Sequence, residues 1–302
     1  MTTVAKMVER IRSQLYTSMQ PRLNALDAAI APTTLQFAFE WTTDYLRIVA
    51  PGDFLAIDDE ILYVWAVDQA TKQAKVQRGM FGSEPAPHAD GALVEISPRF
   101  SRWIVKQELR AELQSWPRGL YAVDEVDLKI SAGTLAMDLN LGPLQDRFIT
   151  ILQVLALQQA DSRHMWAPMD YRLEPNAPTT SFPSGTALFI QPKMGMNPQG
   201  GTAHIVVALE FVLDDFNDTI DIQSHMGIPV QMEDIAVYGA MARLLSGTEI
   251  PRTDAFAQGE ARVASEVPAT FRMTTANQLK MWRDERIAQE VTRLIEQYGI
   301  KM

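Results

Sequence analysis

The sequence predicts an α+β chain: a small β-barrel or sandwich module plus a larger β-sandwich, with amphipathic helices at both ends and between the β-domains. Three observations predict it. Short alternating apolar runs broken by Gly, Pro and Asp fill residues 33–98. Longer alternating runs joined by long polar connections fill residues 120–232. Around and between them, apolar residues recur at three- and four-residue steps. The expected division is a 1–32 N-terminal helical segment, a 33–98 β-module, a 99–119 linking helix, a 120–232 β-sandwich with long loops and a 233–302 C-terminal helical region.

In the first segment, Val4, Met7 or Val8, Ile11, Leu15 and Met19 make one stripe of a helix over residues 2–20, with Glu9, Arg10 and Arg12 facing away. Pro21 ends or kinks it. A short apolar turn over 23–30 and a loop at 31–34 follow. Such a helix packs on its own domain or docks on a neighbouring subunit.

The β-module is read as strands at 35–41, 45–49, a central hairpin over 52–64, 75–78 and 93–96. In the hairpin, Phe54, Ala56, Ile61 and Tyr63 share one face and Leu55, Ile57, Leu62 and Val64 the other. Apolar residues on both faces imply that both are covered. Asp58-Asp59-Glu60 is the expected polar tip. Pro98 then stands at the first turn of a helix with a buried stripe of Val105, Leu109, Leu113 and Trp116, closed by Pro117 and Gly119.

For the larger β region the candidate strands are 121–126, 128–130, 148–157, 187–191 and 204–212. The Gly- and Leu-rich stretch 136–144 and the proline-dense stretch 166–184 read as connections, the latter a surface excursion, and 194–201 as a hairpin tip. A helix over 233–246 carries Val237, Met241, Leu244 and Leu245, with Gly247 at C′, and a linker fills 249–267. The longest helix spans 274–298, with capping oxygens from Thr274, Thr275 and Asn277. Its stripe of Ile287, Val291, Leu294, Ile295 and Tyr298 is a candidate interface.

Candidate chemistry is sparse. The chain has no cysteine, which removes disulfides, thiolate metal sites and a cysteine nucleophile, and fits a reducing compartment. A net charge of −10 argues against general nucleic-acid binding. No apolar run approaches the roughly 18 residues that span a bilayer, and residues 1–10 lack the order of a secretory signal. Asp58-Asp59-Glu60 serves as a turn or as a cation site. Asp215, Asn217, Thr219 and Asp221 alternate as calcium ligands would, yet Ile220 occupies the glycine position and Met226 the glutamate position. His88, His164, His204 and His225 form no H-x-x-x-H pair, and no P-loop, G-x-S-x-G or G-x-G-x-x-G occurs. Fifteen methionines, among them Met194, Met196, Met226, Met232 and Met241, fill the core or line adaptable interfaces. No catalytic residue, metal or cofactor is expected.

Ile57-Asp58-Asp59-Glu60-Ile61-Leu62-Tyr63-Val64, then Val76-Gln77-Arg78-Gly79-Met80-Phe81-Gly82-Ser83, then His88-Ala89-Asp90-Gly91-Ala92 together resemble a module of tailed-bacteriophage virion structural proteins. There an acidic Ile-Asp-Asp-Glu strand precedes an Arg-Gly-x-x-Gly-Ser/Thr turn and a His-x-x-Gly turn. Pro98-Arg99-Phe100 and Gly119-Leu120-Tyr121-Ala122-Val123 are similar to virion proteins encoded among head-completion genes. The resemblance covers residues 35–125, a third of the chain. In physical terms, Arg78 is placed to pair with an acid of the tip, Gly79, Gly82 and Gly91 permit tight turns, and His88 is placed to staple the 81–91 loop.

The resemblance implies a head–tail connector (neck or adaptor) acting as a homo-oligomeric ring in the virion, assembled in the host cytoplasm. Its partners would be itself, the portal protein and other neck or tail-completion proteins, with DNA only as transiting cargo and no membrane. Tail-tip and baseplate proteins share the module type and remain an alternative. A further alternative is a carbohydrate-binding receptor protein using Trp166 and Tyr171.

Overall fold

Alternating inward-facing residues of six short strands build the first core. The computed structural model describes residues 1–16, 22–39, 49–68, 70–71, 73–117, 119–129, 136–160, 163–191, 202–247 and 269–298. The strands β1 (Arg22–Ala25), β2 (Gln36–Ala38), β3 (Phe54–Ile57), β4 (Glu60–Asp68), β5 (Gln73–Gln77) and β6 (Leu93–Ile96) form one antiparallel sheet in the order β1-β6-β3-β4-β5-β2. The sheet curls until its edges meet: Leu26 bridges Phe39, and Asp27 N–H donates to the Ala38 carbonyl at 3.3 Å. Leu55, Ile57, Leu62, Val64, Ala74, Val76, Val94 and Ile96 fill the interior. In β4 a register shift between Val64 and Ala66 marks a bulge at Trp65, which is 61% exposed.

Helices α1 (Val4–Leu15), α2 (Arg102–Gln114) and α3 (Glu233–Gly247) belong to the same unit and pack on one another. Thr3 caps α1, accepting from Lys6 N–H at 3.4 Å, and Val4 N–H donates to the Ile220 carbonyl at 3.1 Å. Val4, Met7, Val8 and Ile11 are its buried stripe. Ser101 caps α2, accepting from Ile104 N–H at 3.3 Å. α3 lies close to α2: a Cβ at Gly239 would overlap the Glu112 carboxylate, which also pairs with Arg283.

The second unit is a sandwich. β7 (Ala122–Lys129), β9 (Phe148–Ala160), β10 (Arg163–Pro168) and β13 (Thr202–Leu209) make a sheet in the order β10-β9-β13-β7. β8 (Ala136–Asp138), β11 (Asp170–Pro175) and β12 (Thr186–Gln191) make another, β11-β12-β8. Met137, Leu188 and Ile190 from one sheet meet Ile151, Val154, Ile205 and Val207 from the other in a common core. The helix α4 (Ala269–Tyr298) gives residues from 286 onward to this unit, and a Cβ at Gly119 would sit 3.3 Å from Val291.

The α+β class with barrel and sandwich β-structure is therefore correct, and several local expectations are not. The turn read at 23–30 contains a strand, β1, because Leu23 and Ala25 pair with Glu95 and Leu93 of β6. Pro98 does not start the linking helix; Ser101 supplies the capping oxygen that proline lacks, and Trp116 lies beyond the last helical turn. The connection at 136–144 carries β8, and the proline-dense stretch carries the end of β10 and all of β11. Pro168 and Pro175 stand at strand ends, where no ladder N–H is required. Thr274, Thr275 and Asn277 lie inside α4, which begins at Ala269. Pro21, the 194–201 tip, most of the 45–49 strand and the 249–267 linker fall outside the described residues.

Truncating a fully buried leucine in either unit tests this packing. Leu62→Ala in the barrel and Leu188→Ala in the sandwich, both at 0% exposure, are each expected to cost about 2–5 kcal/mol in urea unfolding. Leu93→Ala, at 57% exposure, is expected to stay within about 0.5 kcal/mol.

Candidate functional site

The β3–β4 hairpin turns through Asp58 and Asp59, with Ile57 paired to Glu60. Asp58 takes the left-handed region at φ +52°, which a short polar side chain tolerates. Glu60 is thus the first residue of β4 and shares the inner face with Leu62 and Val64. At 1% exposure it is no part of a solvated tip, which corrects the three-residue turn expected there.

A buried carboxylate requires partners. Arg78, one residue beyond β5, supplies a two-pronged one: Nε donates to Glu60 Oε1 at 2.7 Å and Nη2 to Oε2 at 2.5 Å. The remaining guanidinium protons go to carbonyls, Nη1 to Ala31 at 2.6 Å and Thr34 at 3.4 Å, and Nη2 to Ala86 at 2.5 Å. Glu60 Oε2 also accepts from Ala86 N–H at 3.1 Å. His88, 5% exposed, places Nε2 at 2.9 Å from Glu60 Oε2 and Nδ1 at 3.1 Å from Asp58 Oδ2. One arginine and one glutamate thereby join the hairpin, the 31–34 loop, the end of β5 and the 86–88 loop.

Burial by itself would raise the Glu60 carboxyl, but the hydrogen bonds from Arg78, His88 and Ala86 outweigh it and hold it down at about 2. Burial lowers the His88 imidazole, while the hydrogen bonds and charges of Glu60 and Asp58 more than offset that and leave it raised.

The Arg78–Ser83 turn requires its first glycine. Gly79 sits at φ +67°, and a Cβ there would lie 2.9 Å from the Ser83 carbonyl oxygen and against Pro85. Gly82 and Gly91 also have positive φ, at +77° and +72°, in open space. Ser83, which the motif contains without an assigned role, accepts from Ile61 N–H at 2.9 Å and donates to the Met80 carbonyl at 2.8 Å.

Asp59 faces a different set of partners. It accepts from Arg102 Nε at 2.9 Å and pairs with Lys106 Nζ at 2.6 Å. Arg102 also reaches Glu9 at 2.7 Å and Asp218 at 2.5 Å, and Lys106 reaches Asp218 at 2.9 Å. Sequence reasoning missed this network. Its one signal was a Lys at 106 beside the buried Val105 and Leu109, where a cation needs a partner. Asp218, from the stretch weighed as a calcium loop, is committed to these cations, and their hydrogen bonds outweigh burial to lower its carboxyl. Among the described residues, no group of three or more His, Asp or Glu is placed to hold a metal ion.

The other expected positions lie elsewhere. On α4, Leu294 is 2% exposed, and Ile287, Val291, Ile295 and Tyr298 are half-buried. Tyr171 packs on the sandwich core and its hydroxyl donates to the Ile151 carbonyl at 2.5 Å, so it is not an outward sugar platform; the Trp166 side chain falls outside the described residues. Met226, Met232 and Met241 are buried, whereas Met194 and Met196 fall outside the described residues. Phe81, Phe54, Tyr63 and Trp65 form a chain of ring contacts with centroids 5.0–5.2 Å apart. Pro32, Leu35, Trp65, Lys75 and Pro85 line a groove of about 810 Å³ beside Arg78.

No protein-family model matches the chain, and no curated protein is significantly similar to it.

Removing either half of the Glu60–Arg78 pair leaves a buried charge without its partner. Arg78→Ala is expected to cost roughly 3–5 kcal/mol in chemical denaturation. The pair also sets an acid limit. Because the folded carboxyl lies below its ordinary 4.5, its stabilisation is complete above that pH and is lost as pH falls toward about 2. Unfolding free energy measured between pH 6 and pH 2 is expected to fall more steeply in the native sequence than in Glu60→Gln; equal slopes would contradict the assignment.

Proposed function

We propose that this chain is a structural protein of a tailed-phage virion that assembles as a homo-oligomeric ring at the head–tail junction, joining portal to tail. The observation that carries the reading is the convergence of the motif residues. Asp58, Glu60, Arg78 and His88 stand up to 30 positions apart and meet in one cluster at one end of the barrel, in which Glu60, Arg78 and His88 are buried. A motif of that kind encodes a rigid building block, and its charged groups are spent on internal contacts.

In this reading the chain acts by assembly. Its partners are further copies of itself, the portal protein and other neck or tail-completion proteins, and DNA passes through as cargo. A net charge of −10 suits such a conduit, since a wall of like charge does not retain a passing polyanion. Head-to-tail contacts between identical subunits close into a ring when the rotation between them closes. No helix among the described residues is long and apolar enough to cross a membrane, so membrane anchorage through these helices has no part in the proposal.

Negative-stain microscopy and light scattering of the purified chain, alone and mixed with the portal of the same phage, test the proposal. A ring, or a mass several times the 33.8 kDa of the monomer, is expected. A protein that stays monomeric and binds neither portal nor tail refutes it. Labelling that locates the chain at the distal end of the tail would replace the neck by a tail-tip or baseplate position.

A further inference from the structure

His88 sits between two acceptors. Nδ1 lies 3.1 Å from Asp58 Oδ2, and Nε2 lies 2.9 Å from Glu60 Oε2. A carboxylate only accepts, so both ring nitrogens must carry a proton for both contacts to be hydrogen bonds. A neutral imidazole has one N–H and would turn a lone pair toward one of the acids. The ring has little freedom to avoid this: its side chain is buried at 1% exposure, on a backbone held by His88 N–H donating to the Ile30 carbonyl at 3.0 Å and Ile30 N–H donating to the His88 carbonyl at 2.9 Å. The charged side chains around the ring are Asp58 from the turn, Glu60 from β4 and Arg78 from the end of β5. With His88 protonated, these four charges sum to zero. Asp59 is turned to Arg102 and Lys106 instead.

We infer that His88 is an imidazolium in the folded barrel and works as a pH-released clasp on the hairpin tip, letting go of Asp58 when it loses a proton. The two arms are unequal. Glu60 is buried at 1% side-chain exposure and fixed by Arg78, whereas the Asp58 side chain is 78% exposed. Asp58 therefore gives way, since water replaces its lost hydrogen bond at small cost. The proton leaves from Nδ1, and Nε2–H stays on Glu60. The release is local: the Glu60–Arg78 pair and the barrel persist, Asp59 stays on Arg102 and Lys106, and the turn gains freedom at Asp58. His88 lies above its ordinary value because of the same two acids. The clasp is then fully closed below about pH 6.5 and opens as pH rises through the higher folded value.

Histidine-selective ¹⁵N NMR of the full chain from pH 5 to pH 10, with hydrogen exchange at residues 57–60, tests the inference. Two protonated ring nitrogens at low pH are expected, then loss of the Nδ1 proton together with a loss of amide protection at the tip. Asp58→Asn keeps the buried pair and tolerates the same backbone, and is expected to shift the His88 midpoint downward. His88→Gln is expected to abolish the pH step in protection. A single neutral tautomer at pH 5, an unmoved midpoint in Asp58→Asn, or a titration that leaves tip protection unchanged would overturn the clasp.

Discussion

A single buried ion pair constrains the barrel end. Glu60 faces inward because strand alternation places it on the side of Leu62 and Val64, and no register of β4 that keeps those leucine and valine side chains inside can turn it out. The desolvation of that carboxylate has to be offset, and the Arg78 guanidinium does most of this, helped by His88 and the Ala86 N–H. Arg78 then imposes its own geometry: protons not used on Glu60 go to the Ala31 and Ala86 carbonyls, which draws two loops over the barrel end.

The three consecutive acids of the hairpin consequently have three separate jobs. Asp58 meets His88, Glu60 meets Arg78 and His88, and Asp59 reaches across to Arg102 and Lys106 on α2. A turn that alternates side-chain direction is what lets neighbours in sequence serve different partners. The Asp59 network is partly exposed and shared among several charges, so its contribution to stability is modest beside that of the buried pair. Its value lies in orientation, because it fixes the hairpin against α2 and against the 215–221 segment that also closes the N-terminus of α1.

Much of this was legible in the sequence because the barrel strands obey period two. The face assignment of Phe54, Leu55, Leu62 and Tyr63 follows from alternation and agrees with the observed register. What failed were features decided by partners distant in the chain. β1 has too few residues to announce itself and becomes a strand only because β6 is there to pair with it. β11 was hidden by its closing Pro175 and by Pro168 at the end of β10 just before it. Glu60 looked like a turn residue because a polar run of three resembles a loop; its burial depends on Arg78, 18 positions away. The Asp59 network needed α2 in place before Lys106 had a reason to be buried.

The role of the buried pair is measured most directly by a double-mutant cycle on Glu60→Gln and Arg78→Met, read by urea unfolding at pH 6. A coupling of about 2–3 kcal/mol is expected, with the double variant more stable than the two single losses would sum to. Strict additivity of the two losses would mean that the barrel end is held by something other than this pair.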